Sequence, residues 1–297
     1  MKARALSDKM FKSFKNGELL PLLQAVQIDD TLDFELRGQS ANIYYRGGSL
    51  FRINERTTDY QIIFNKNYCT DDILPEYPNV DEAVKLIPQY KYAMDKWFHG
   101  HPKYEREFQQ LLVRMNNSSG NISKSTDYYI ADIEYADSEQ SARFDIIAFK
   151  WLSTAAMRKN INKPSLSLIE LKYGDGALNG KAGIVKHLED LQIFINNEQQ
   201  LNEFAQDMSK VFNQKCELGL IAGLQEHQFN VSINPNDVEV IFMFADHDPD
   251  KSVLKNIFSS INSSQYNFPI CIATASMIGC GLYANRMLTI EEFLTNV

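Results

Sequence analysis

Ser167-Leu168-Ile169-Glu170-Leu171-Lys172 is an apolar run that closes on an acid and a base two residues apart. Residues 166–172 read as a strand. Strand side chains repeat every two residues, so Glu170 and Lys172 share one face. They stand just before the glycine-rich turn 174–180, at the carboxyl end where α/β sheets place their sites. Upstream, residues 143–151 form a second strand, in which Asp145 is set between Phe144 and the apolar Ile146-Ile147-Ala148. A carboxylate in such a strand costs several kcal/mol unless it is paired or holds a cation. Asp145, Glu170 and Lys172 are therefore expected on adjacent strands of one sheet.

The flanking periodicity supplies the rest of an α/β pattern. Residues 104–115 read as a helix with Phe108, Leu111, Leu112 and Met115 on one face. A polar loop (116–125) and a strand (128–135) follow. The segment 136–142 joins that strand to the next as a hairpin. After the glycine turn come a helix (182–195) striped with Ile184, Val185, Leu188, Leu191 and Phe194, and a second helix (199–212). Strands at 218–222 and 238–245, a helix at 252–261 and a strand at 269–275 complete the chain. A hairpin followed by strands joined through helices implies a mixed sheet flanked by helices. The N-terminal region differs. A helix (1–24, interrupted at Pro21) precedes short alternating runs around Leu32, Ile43, Leu50 and 61–64, an antiparallel β-meander. A helix around 80–97 follows, its regularity limited by Pro88. The expected division is an accessory region, 1–100, and a second domain, 101–297.

Two carboxylates and an ammonium on one face suit phosphodiester hydrolysis. Oxygen ligands hold Mg²⁺ or Mn²⁺, the cation polarises a phosphate and acidifies a bound water, and a lysine steadies the developing charge. The chain of 297 residues is 44% hydrophobic and has a formal net charge of −8. That charge counts against binding by bulk positive charge but not against a local grip on a few phosphates. It also leaves open an α/β enzyme acting on a small phosphorylated molecule. Four cysteines without paired spacing (Cys69, Cys216, Cys271, Cys280) fit a reducing cytoplasm and no structural zinc. No membrane span or secretory signal is expected.

Asp145, 24 intervening residues and then Glu170-Leu171-Lys172 resemble the PD-(D/E)xK nuclease superfamily, with its restriction-endonuclease-like αβββαβ core. Phe144 stands where the family's eponymous proline would be. The resemblance covers residues 101–245. It implies a metal-dependent nuclease, with an endonuclease acting on DNA as the first expectation. Asp145 and Glu170 would be metal ligands, and Lys172 the group that positions the nucleophile. Tyr104-Glu105-Arg106-Glu107-Phe108 resembles the helix start of archaeal Holliday-junction resolvases, which maps a further metal-shell carboxylate to Glu105, with Glu107 as fallback. On the next core helix the family adds a polar residue. Lys186, His187, Asp190 and Gln192 are candidates, and Gln192 comes first because some relatives use glutamine. Asp132 is a further acidic neighbour. The implied partners are nucleic acid and a second copy of the chain, with no membrane. The contrasting expectation is a non-cleaving nucleic-acid-binding or assembly protein on the same fold.

Other motifs carry less. His99-Gly100-His101 has no carboxylate or cysteine at ligand spacing and reads as a solvated loop. Asp246-His247-Asp248 reads as a strand-to-helix turn, and Gly174-Asp175-Gly176 lacks the context of a phosphate loop. In the meander, Arg37, Tyr44, Tyr45, Arg46, Arg52, Arg56 and Lys66 are either an ordinary sheet face or a surface that stacks on bases and grips phosphates.

Overall fold

A computed structural model describes residues 3–69, 74–118, 126–137, 142–154, 163–174, 178–180, 183–224, 230–246, 253–275 and 287–296. The loop segment 119–125, the hairpin connection 138–141, the glycine-turn residues 175–177, His247, Asp248 and Cys280 lie outside the described residues. The described residues build a mixed α/β protein with eight α-helices, an antiparallel four-stranded sheet and a mixed six-stranded sheet.

The meander forms as its alternating pattern predicts. Strands β1 (Leu32–Leu36), β2 (Ser40–Tyr45), β3 (Gly48–Glu55) and β4 (Tyr60–Ile63) pair in sequence order, all antiparallel. The expected single helix before it is two, α1 (Asp8–Asn16) and α2 (Leu20–Ile28). Gly17 ends the first: a Cβ there would stand 2.8 Å from Ser13 Cα. Pro21 sits in the first turn of the second, where its missing N–H costs nothing. Helix α3 (Val80–Gly100) starts at an Asn79/Glu82 capping box and runs unbroken through Pro88, longer and more regular than the prolines suggest. Burial of Ile87, Tyr90 and Met94 along one side holds it against the meander.

The second sheet is built on β7 (Ser165–Tyr173), whose residues 166–172 are all buried. β5 (Tyr128–Asp137) and β6 (Ala142–Lys150) are antiparallel to each other, and β6 to β7. β8 (Asn234–Ala245) and β9 (Ile270–Ala275) then add in parallel, and β10 (Leu288–Thr289) closes the far edge antiparallel. On one face α4 (Tyr104–Val113) lays Phe108 and Leu112 over Ile146, Ile169 and Leu171. On the other, α5 (Ile184–Ile195) and α6 (Glu198–Glu217) bury Leu188, Phe204 and Phe212 against Ile147, Phe149 and Leu168. A strand covered on both faces reads as a near-continuous apolar run, which explains the composition of β7. Helices α7 (Leu254–Ser259) and α8 (Ile290–Asn296) flank the parallel edge.

Residues 218–222 are not a strand. Gly219 adopts left-handed geometry at φ +68. The backbone then turns back, with Leu220 N donating to Lys215 O (2.9 Å) and Ala222 N to Asn117 O (2.6 Å). The 1–100 and 101–297 stretches carry one sheet each, but they share a core. Leu36, Ile43 and Phe51 belong to the same buried cluster as Tyr129, Phe149 and Phe212. Polar groups also cross between them. Lys215 of α6 puts Nζ 2.8 Å from both carboxylate oxygens of Glu35 on β1, with both residues at most 1% exposed. Among the described residues no helix is long and apolar enough to cross a membrane.

Candidate active site

The antiparallel register of β6 and β7 pairs Ile146 with Ile169. One residue further along the same register, Asp145 stands across from Glu170. Cross-strand neighbours share a face, so Asp145, Glu170 and Lys172 point together toward the α5 side. The ladder ends there. Instead of a backbone carbonyl, the Asp145 carboxylate takes the Leu171 N–H, at 3.0 Å from Oδ2. The strands therefore part at their site end with their backbone groups still satisfied.

Lys172 Nζ donates to Glu170 Oε1 at 2.7 Å, and both residues are only 6% exposed. His187 of α5 brings Nε2 to 3.1 Å from the same oxygen and 3.4 Å from Lys172 Nζ. Asp145 keeps a partly exposed edge. Burial is the main force on its carboxyl, and the Glu170 charge adds to it, pushing the pKa up to about 8 against the opposing pull of the Leu171 N–H and Lys172. Burial likewise raises Glu170, with Lys172 opposing. Two buried carboxyls that face each other cannot both ionise cheaply without a compensating cation.

Glu105 lies in the first turn of α4, exposed, and its charge is close enough to raise both Asp145 and Glu170. Helix α4 is held in that position at both ends. Gly47, in the β2–β3 turn at φ +78, lies so close that a Cβ would come within 2.9 Å of Lys103 O and Glu107 N. Arg46 binds Glu107 at 3.0 Å and Asp95 at 2.8 Å. At the other end Asn117 clamps both backbone groups of Ile130 beside the β5 bulge, at 2.7 and 2.9 Å. Glu107 is thus engaged in docking the meander, and Glu105 is the α4 carboxylate whose charge reaches Asp145 and Glu170.

Gln192 is not brought to the cluster. Its Nε2 donates to Gln265 O at 2.9 Å, and it lies about 7.5 Å further along the helix than His187. Lys186 and Asp190 pair with each other on the exposed side, at 2.7 Å. His187 was legible in one respect: three residues after Ile184 and four before Leu191, it falls inside the apolar stripe of α5, whereas Gln192 is on its flank. Arg143, two residues before Asp145 on β6, also escaped sequence reasoning. It is exposed, and its charge lowers Glu170. Asp132 is elsewhere, fully buried, bound by Arg37 and 3.7 Å from Arg4. Burial works to raise its pKa, and Arg37 with Arg4 outweighs that to leave it below the usual range. Arg37 and Arg46 are thus occupied in ion pairs and are not a free nucleic-acid surface. Asp246 accepts from Tyr173 OH at 2.8 Å.

The donor set suits a hard divalent cation in part. Asp145 Oδ1 and Glu170 Oε2 have no hydrogen bond among the described residues. Both carboxyls are raised by burial, and a dication would compensate that cost. Among the described residues no three His, Cys, Asp or Glu side chains are gathered closely enough to hold a metal by themselves. That pattern fits Mg²⁺, which keeps several waters and takes one or two carboxylates plus substrate phosphate, better than it fits a fully protein-caged ion. The fold and site together define a mixed α/β protein with a carboxylate–lysine–histidine cluster at the parted end of two central strands. No family model, no curated protein and no solved structure matches the chain.

Proposed function

We propose that this chain is a Mg²⁺- or Mn²⁺-dependent nuclease of the PD-(D/E)xK type, cutting phosphodiester bonds of nucleic acid, with DNA as the first substrate to test. The observation that carries the proposal is the placement of Asp145 across from Glu170, with Lys172 Nζ 2.7 Å from the latter. The succession α4, β5–β6–β7, α5, β8 supports it. That is the αβββαβ order of the restriction-endonuclease-like core with one extra helix, α6. The dication would be held by Asp145 and Glu170, with Glu105 reaching it through water, and would supply Lewis acidity and an acidified water. Lys172 orients the attacking water and neutralises charge gathering on the phosphate oxygens. His187 fixes the Glu170 carboxylate together with Lys172, both at Oε1, so that Oε2 would be left for the cation. Leu171 N–H does the same for Asp145.

The test is Mg²⁺-dependent cleavage of linear and branched DNA, and of RNA, by the wild type and by Asp145→Ala and Lys172→Ala, with folding checked by circular dichroism. Loss of cleavage in both folded variants is expected. Equal cleavage in variants and wild type would sink the proposal. One observation favours a non-cleaving binding protein: Lys172 already neutralises Glu170. In that case Mn²⁺ does not bind, and both variants keep full nucleic-acid affinity.

A further inference from the structure

A second concave surface shares no described lining residue with the site. The C-terminal half of α3 and the chain around Tyr68 enclose a groove of about 580 Å³, lined chiefly by Tyr68, Leu74, Tyr92, Lys96, Trp97 and His101. Its walls are aromatic planes. Trp97 and His101 stack with ring centroids 4.3 Å apart at 18°, and Tyr68 meets Trp97 edge-on at 5.2 Å. Tyr92 is 62% exposed. Lys96 is the one lysine among its described lining residues, and Lys103, outside the lining, stands next to its Trp97 wall. Lys96 Nζ stands 4.8 Å from the Tyr92 ring, and Lys103 Nζ stands 5.4 Å from the Trp97 ring. Lys103 has no ion pair with any carboxylate among the described residues. Its one hydrogen bond there is to Tyr68 OH at 3.5 Å. No carboxylate is among the described residues lining the groove.

An aromatic groove edged by carboxylates would select cations. One edged by Lys96, with Lys103 beside it and neither ion-paired among the described residues, repels them and takes a flat π-system carrying negative charge. The chain itself connects the groove to the helix that carries Glu105. From His101 the chain runs through Lys103 and Tyr104 to Glu105, and Tyr104 stacks on Tyr173, the residue after Lys172, at 5.3 Å and 18°. We propose that this groove binds an unpaired nucleobase of a single strand, stacked on Trp97 and Tyr92, with a flanking phosphate on Lys103. The strand's next nucleotides would then pass over Tyr104 toward Glu105, Asp145 and Glu170. The proposal deepens the nuclease reading and depends on it for the strand's destination. It makes the substrate a single-stranded, flapped or branched nucleic acid rather than a blunt duplex.

The test separates the two claims, because binding is measured in EDTA, where no metal-dependent cleavage occurs. A labelled thymidine oligonucleotide of about 15 nucleotides is titrated by fluorescence anisotropy against an abasic oligomer of equal length and a blunt duplex. Intrinsic fluorescence is followed in parallel. The chain has two tryptophans, and Trp151 is 2% exposed, so quenching by a stacked base reports Trp97. The thymidine strand should bind about tenfold tighter than the abasic one and quench the signal. Tyr92→Ala, a change at an exposed ring, should weaken binding at least about fivefold. Lys103→Ala should weaken both oligomers alike and lower the salt dependence. Equal affinity for thymidine and abasic strands, or unchanged binding in both Tyr92→Ala and Trp97→Ala, overturns the groove assignment. So does oleate quenching Trp97 where the thymidine strand does not. Cleavage of blunt duplex without Trp97 quenching would leave the nuclease reading standing and this one refuted. Quenching without cleavage in Mg²⁺ would do the reverse.

Discussion

Glu170 and Lys172, two residues apart on β7, form a 2.7 Å ion pair in which each partner is only 6% exposed. The pair is adjacent to a second buried carboxyl, Asp145, so the lysine serves both as counter-charge for the folded chain and as the proposed catalytic cation. Removing it leaves Glu170 buried against the Asp145 carboxyl, with His187 as its remaining close side-chain partner among the described residues. Lys172→Met is expected to lower stability by roughly 3 kcal/mol in urea denaturation. Glu170→Gln/Lys172→Met should recover most of that loss. Cleavage should fall by roughly 100-fold or more in both. Recovery of stability without recovery of cleavage separates the two roles of Lys172.

The Asp145 carboxyl, raised by burial and by Glu170 to about 8, holds its proton in the folded state where the unfolded chain has lost it. Between about pH 4 and pH 8 the native state binds more protons, so stability without metal falls as pH rises through this window and levels off above it. The slope from this one group is at most about 1.4 kcal/mol per pH unit. Thermal or urea denaturation from pH 5 to 9 in EDTA should show the decline, and Asp145→Asn should flatten it. Because a cation needs the ionised carboxylates, Mn²⁺ affinity should rise with pH up to about 8. An affinity that is flat or falling over that range would count against Asp145 as a ligand.

His187 and Gln192 stand on the same helix with opposite expectations. His187 Nε2 touches Glu170 Oε1 at 3.1 Å, so His187→Ala should lower kcat by about tenfold and alter the pH profile of cleavage. Gln192→Ala loses a bond to Gln265 O and should leave kcat within about threefold of wild type. Steady-state cleavage at several pH values checks both. Equal effects at the two positions would contradict the arrangement.

Much of this was written locally. Period-two alternation set Glu170 and Lys172 on one face, and the apolar run of β7 announced a central strand. The hairpin expectation joins β5 to β6; the adjacency of β6 and β7 is an inference from strand order and is realised in the register Ile146 to Ile169. Other features depended on tertiary context. Residues 218–222 are as apolar as an edge strand, yet their backbone groups are taken by Lys215 and Asn117 and form a turn. The sequence favoured Gln192 by resemblance, while the start of the α5 stripe put His187 in contact with Glu170. The ion pairs of Arg46 with Asp95 and Glu107, and of Arg37 with Asp132, join residues 49, 61 and 95 positions apart, separations at which no local pattern identifies partners.

The join between the two sheets is a further point of test. Lys215 and Glu35 are buried together across 180 positions of sequence. Burial pushes Glu35 up to about 7 even with Lys215 pulling it down. Lys215→Ala is expected to cost about 3 kcal/mol, because Glu35 stays buried with only the more distant Arg37, 3.8 Å away, as an ion-pair partner among the described residues. Glu35→Gln/Lys215→Met should be close to neutral. Denaturation monitored by Trp97 in the N-terminal half and by the buried Trp151 should give one coincident transition, since both belong to or pack against the same core. Two separate transitions would show that the halves unfold independently.

The most direct measurement is of the cation itself. Mn²⁺ binding, followed by electron paramagnetic resonance or calorimetry at pH 8, is expected to reveal a site that is lost in Asp145→Asn and in Glu170→Gln, weakened in Glu105→Gln and unchanged in Gln192→Ala. Absence of Mn²⁺ binding at millimolar concentration, or equal binding in wild type, Asp145→Asn and Glu170→Gln, would contradict the account.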